Sequence, residues 1–81
     1  MIHVNFRMLS KFEEDWNKHN DKPVNLEAIK DKLVRMAEQG FSEHEDRTTD
    51  YWYSFKIEKY HATRYAVTYK GICGKRILVK K

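Results

Sequence analysis

Tyr51-Trp52-Tyr53-Ser54-Phe55-Lys56-Ile57-Glu58, followed by Arg64-Tyr65-Ala66-Val67-Thr68-Tyr69-Lys70, is the stretch that decides the fold. Tyr51, Tyr53, Phe55 and Ile57 alternate with Trp52, Ser54, Lys56 and Glu58. Tyr65, Val67 and Tyr69 alternate with Arg64, Ala66, Thr68 and Lys70. Alternation at period two, in runs rich in aromatic and β-branched residues, reads as half-buried strands. A third run follows, in which Ile77 and Val79 alternate with Arg76, Leu78 and Lys80; Gly71 and Gly74 bracket the turn expected before it. Paired as an antiparallel meander, these strands sort their residues onto two faces. One face holds Tyr53, Phe55, Ile57, Tyr65, Val67, Tyr69, Ile77 and Val79. The other holds Trp52, Lys56, Arg64, Thr68, Lys70, Arg76 and Lys80.

The upstream half supplies what covers the apolar face. Ile2, Val4 and Phe6 alternate with His3 and Asn5, which predicts a short strand over residues 2–7. Ser10 and Glu13 have capping-box spacing, and Phe12, Trp16 and His19 share one face of a helix over about residues 11–19. After the linker Asn20-Asp21-Lys22-Pro23, Asn25 is a good N-cap, with Val24 and Ile29 placed as a hydrophobic staple. Leu26, Ile29, Leu33, Met36 and Ala37 form an apolar stripe, and Gly40 with Phe41 suits a left-handed C-cap, so a second helix is expected over residues 26–39. Residues 42–50 are polar and aperiodic and read as a loop. The expectation is an α+β fold, a single domain over residues 1–81, in the order β-α-α-β-β-β, with two helices packed on one face of an antiparallel sheet.

Composition narrows the function classes. The chain has 81 residues and one cysteine, Cys73, which excludes an internal disulfide framework and an all-cysteine metal site. No apolar run approaches the roughly 20 residues that span a bilayer, and the first residues lack a secretory pattern. The sequence therefore predicts a cytoplasmic protein without a membrane partner. Charge is unevenly placed. Residues 1–50 carry eight Lys/Arg against eleven Asp/Glu, whereas residues 51–81 carry eight Lys/Arg against Glu58 alone. This asymmetry points to a polyanionic partner, or else to acidic helices lying against a basic sheet.

The polar sheet face combines cations with an aromatic ring. Cations neutralise phosphates, and a ring stacks on an unpaired base. Trp52, Lys56, Arg64, Lys70, Lys75, Arg76 and Lys80 are accordingly the candidate nucleic-acid contacts. His61 stands between two strands near Lys56, Glu58 and Arg64. Cleavage of RNA through its 2′-hydroxyl needs a base, an acid and cations for the phosphorane, and His61 or Glu58 with Arg64 and Lys56 are the candidate catalytic groups. His44 lies in a carboxylate-rich stretch that matches no zinc or calcium spacing and reads as solvated loop. Cys73 stands near Lys75 and Arg76, cations that would lower a thiol's pKa, but without a base at recognisable spacing. No metal site and no cofactor are expected.

The order of elements resembles that of the RelE/ParE superfamily of bacterial toxins. Within residues 51–70 the closest local likeness is to YoeB-type members, carried by Ser54, Lys56, Ile57, His61 and the run Tyr65-Ala66-Val67-Thr68. The resemblance implies a toxin of a toxin–antitoxin pair that cuts messenger RNA on the ribosome and is neutralised by a partner antitoxin. Two positions differ from the family's pattern. Ala62 follows His61 where the family has arginine, so that the nearest arginine is Arg64. Lys80 and Lys81 stand where the family often has a histidine or tyrosine that assists cleavage. A non-enzymatic alternative stands beside the toxin: a phage-type inhibitor or accessory protein that occupies a nucleic-acid-processing complex.

Overall fold

The computed structural model describes residues 2–76. Its elements are β1 (His3–Arg7), α1 (Leu9–His19), α2 (Leu26–Glu38), β2 (Glu43–Asp46), β3 (Tyr51–His61) and β4 (Arg64–Lys75). The fold is α+β with the order β-α-α-β-β-β. The spatial strand order is β1-β4-β3-β2. β2, β3 and β4 pair antiparallel, but β1 lies parallel to β4, so the sheet is mixed rather than wholly antiparallel. A parallel neighbour requires a long crossover, and the chain from α1 through β3 supplies it.

The helices form where local chemistry favours them. Asn25 caps α2 by accepting from the Ala28 amide at 3.1 Å. Gly40, at φ 88°, closes it in the left-handed conformation, with Gly40 N–H donating to Ala37 and Phe41 N–H to Met36. α1 starts differently from the expected capping box. It begins at Leu9 after Met8, which takes the left-handed conformation at φ 63°, and no side chain caps it. Ser10 is already inside the first turn. The sharp exit from β1 sets that start.

Both helices cover one sheet face. Phe12, Leu33, Ala37, Tyr53, Phe55, Ile57, Val67 and Tyr69 form the buried core, with Met36 and Tyr65 partly buried against it. Phe12 is its centre. Its ring meets those of Phe55, Tyr53, Tyr69 and Trp16 edge-on, with centroids 5.0 to 5.9 Å apart. The buried tyrosines keep their hydroxyls satisfied at the far end of α1. Tyr69 donates to Asp15 Oδ2 at 2.6 Å, and Asn20 Nδ2 donates to the Tyr53 hydroxyl at 3.0 Å.

Two local expectations are corrected. Residues 43–46 are not loop. They form edge strand β2 on β3, because His44 and Asp46 turn inward while Glu43 and Glu45 turn out. Pairing with a long neighbour overrides the low strand propensity of these residues. Asp46, 1% exposed, ends the strand by accepting from both the amide and the hydroxyl of Thr48. Second, Gly71 and Gly74 do not bracket a turn. β4 runs on through both to pair with Ser54, Trp52 and Tyr51. Gly71, at φ 104°, sits at a register shift between Ser54 and Phe55, where the ladder bulges. Gly74 leaves room for a ring, since a Cβ there would collide with Cε3 of Trp52. The strand expected over Ile77 and Val79, and Lys80 with it, lie outside the described residues.

Candidate nucleic-acid interface

Strand registers place the candidate residues on the sheet face opposite the helices. Ile2, Val4 and Phe6 pack on the core, so His3, Asn5 and Arg7 of β1 point the other way. Three cross-strand rows result on this outer face. His3 pairs with Arg64, which pairs with His61. Asn5 pairs with Ala66, which pairs with Glu58. Arg7 pairs with Thr68, then Lys56, then Glu43. Strands lie about 4.8 Å apart and regular outer rows about 6.8 Å apart, which puts Lys56 and Glu58 on one surface with Arg64; an irregularity in β3 between Lys59 and His61 shifts the register so that His61 pairs with Arg64. All four are exposed. At the centre Ala66 is 3% exposed, a small floor between longer neighbours.

The charge on this face is uncompensated by close pairing. Among the described residues, ion pairs involve Lys11 with Glu14 and Asp15, and Arg47 with Glu45; none engages Arg7, Lys56, Arg64, Lys70 or Glu58. Among the described residues, Arg7, Lys56 and Arg64 lie on the face opposite the helices, whereas Lys59 and Lys75 lie on the helix side. The face is graded rather than uniform. β1 and β4 contribute Arg7, Arg64 and Lys70, whereas edge strand β2 brings Glu43 and Glu45.

The remaining candidates are placed elsewhere. Trp52 is half-buried: its ring lies against Gly74, and the Arg47 guanidinium covers it at 4.2 Å. One face of the ring is thus already stacked, and a base would have to displace Arg47. Lys75 pairs with Tyr51 and holds its ammonium 5.3 Å from that ring, which itself stacks on His19 of α1. Lys75 therefore belongs to the helix side. Arg76 follows β4, its amide donating to Asp50 at 2.6 Å.

His44 is not a solvated loop residue. It stacks beside Phe55 with ring centroids 6.4 Å apart, and its Nε2 is buried without a partner. Burial, followed by the nearby Lys32 charge, pulls its pKa below the ordinary histidine value. Cys73 is exposed, and its thiol donates to Glu45 Oε2 at 3.1 Å. Partial desolvation and that carboxylate push the thiol's pKa up, against the lowering that Lys75 and Arg76 would give. Among the described residues no three His, Cys, Asp or Glu side chains gather as a metal-binding group.

On the helix side a cleft of about 390 Å³ opens between the end of α2 and the β3–β4 hairpin, lined by Ala37, Phe41, Ile57, Lys59 and Tyr65 among others. Phe41 is 50% exposed at its rim.

β1 forms where the sequence predicts a strand, but its place beside β4, which brings His3, Asn5 and Arg7 to the site, is what sequence reasoning missed. The alternation of Ile2, Val4 and Phe6 shows that His3, Asn5 and Arg7 face away from the core, but nothing in it says which strand lies beside them.

Fold and face define a small two-layer α+β domain with one sheet face free of helices among the described residues. Comparison with protein-family models, curated proteins and solved structures gives no match to the chain. No helix among the described residues is long and apolar enough to cross a membrane.

Proposed function

We propose that this domain contacts RNA through its outer sheet face, and that the hairpin end of that face cleaves it in the manner of a ribosome-dependent endoribonuclease toxin. One observation carries the reading. Among the described residues, Arg7, Lys56 and Arg64 stand on a sheet face free of helices, with exposed Lys70 at the bulge of β4, and none of the four has an ion-pair partner. Unpaired cations at strand spacing suit a phosphate backbone, since each phosphate neutralised releases a condensed counterion. His61 and Glu58 stand beside Arg64 as groups that accept a proton, while Arg64 and Lys56 offset the phosphorane charge. The resemblance to RelE/ParE toxins supports the same assignment and implies the ribosome as the setting and an antitoxin as the neutralising partner.

The test is binding of a short single-stranded RNA, followed by fluorescence anisotropy at low salt. Saturable binding that weakens in Lys56→Ala and Arg64→Ala is expected, and absence of binding rejects the reading. Primer extension on messenger RNA from cells expressing the protein tests cleavage, for which intact transcripts leave a binding module only.

A second reading is a non-enzymatic protein that docks on another protein. Phe41 at the rim of an apolar-floored cleft favours it. Its mark would be a partner whose binding is lost in Phe41→Ser and is indifferent to salt.

A further inference from the structure

We infer that His3 is the proton donor of the cleavage site, working with His61 across Arg64. The inference rests on the proposed RNA-cleaving role of the outer face and supplies the acid that the hairpin residues alone lack.

The parallel pairing of β1 with β4 makes this arrangement. His3 pairs with Arg64, and Arg64 pairs with His61, so the three form one row. A further bond pins the end of β1, as His3 N–H donates to the Thr63 carbonyl in the hairpin turn at 2.8 Å. Both histidines are exposed. Their backbones stand two strand spacings apart, roughly 10 Å, with the arginine between them. Two imidazoles on one face then reach toward opposite sides of a phosphate held on the guanidinium. Imidazole is the side chain that takes up and releases protons between about pH 5 and 8.

Glu58 stands on the same strand as His61, across the irregularity in β3 between Lys59 and His61. His3 lies on the edge strand, with Arg64 beside it and Asn5 in the next outer row. Arg7 and Lys56 stand one row further on. The helices pack on the opposite face.

The chemistry balances without another reactant. Neutral His61 takes the proton of the 2′-hydroxyl as the 2′-oxygen attacks phosphorus. The bond from phosphorus to the 5′-oxygen breaks, and protonated His3 gives that oxygen its proton. The products are a 2′,3′-cyclic phosphate and a 5′-hydroxyl. The two histidines finish with exchanged protonation states and reset through solvent.

The experiment compares wild type, His3→Gln and His61→Ala on a labelled single-stranded RNA in EDTA, and separately on messenger RNA carried by translating ribosomes without chelator. RNA binding and circular dichroism are measured in parallel. Each variant is expected to lose about 10²-fold or more in cleavage while RNA binding and fold persist. The wild-type rate should be bell-shaped in pH. His3→Gln should remove the descending alkaline limb, which a merely structural role would leave in place. Cleavage unchanged in His3→Gln, an alkaline limb that survives it, or RNA bound but uncut on both substrates overturns the inference. In that last case the binding role of the face still stands. Failure to bind RNA at all removes the functional reading beneath it.

Discussion

If the outer face holds RNA, the salt dependence of binding counts its cations. The registers set exposed Arg7, Lys56 and Arg64 on that face, and exposed Lys70 stands at the bulge of β4 next to Gly71 as a fourth contact. Each phosphate contact with a single strand contributes about −0.7 to the slope of log K against log salt. Four contacts give a slope of about −2.8, so raising salt from about 50 to about 200 mM should weaken binding about 50-fold. Replacing Arg64 by alanine removes one contact. The slope should then flatten to about −2.1, and the same change in salt should cost only about 18-fold. Lys75→Ala should leave the slope at its wild-type value, because its ammonium sits over Tyr51 on the helix side. Anisotropy titrations at four or more salt concentrations measure all three slopes. A slope near zero, or one that Lys75→Ala reduces as much as Arg64→Ala does, would refute the assignment of the face.

Further predictions concern stability. Phe12 is fully buried at the centre of the aromatic cluster, so Phe12→Ala should cost about 3–5 kcal/mol in urea unfolding, a large part of a small domain's stability. Gly74→Ala should displace the Trp52 ring from its seat and from Arg47, destabilising by about 1–3 kcal/mol and changing the tryptophan emission spectrum. The Tyr69 hydrogen bond, with Lys11 beyond it, holds the Asp15 carboxyl below the usual carboxylate range. A depressed folded pKa contributes stability above the unfolded value that is lost as pH falls through the folded one. Tyr69→Phe should therefore destabilise by about 1.5 kcal/mol at pH 7, with the difference from wild type shrinking below about pH 4. His44 is likewise depressed, by burial, so neutral His44 is what the fold accommodates. Its contribution should fade as pH drops through the ordinary histidine range, and His44→Phe should flatten that part of the urea midpoint's pH profile.

Local pattern determined much of this protein. The stripe Leu26, Ile29, Leu33, Met36 and Ala37, with Asn25 before it and Gly40 after it, specifies α2 through backbone capping and amphipathic spacing, which act within a few residues. Alternation likewise specifies which side chains of β3 and β4 are buried, and so places Lys56, Glu58 and Arg64 on the opposite face. What depended on contacts between distant segments was not legible in this way. His44 and Asp46 become strand only because β3 offers an edge to pair with. Gly71 and Gly74 are turn-forming residues by propensity, yet one serves a bulge and the other makes room for Trp52. The same holds for the candidate site. His61 and Arg64 adjoin through a hairpin that the sequence announces. His3 joins them from the other end of the chain through parallel pairing, whose register is set by the packing of Val4 and Phe6 on the core rather than by any turn.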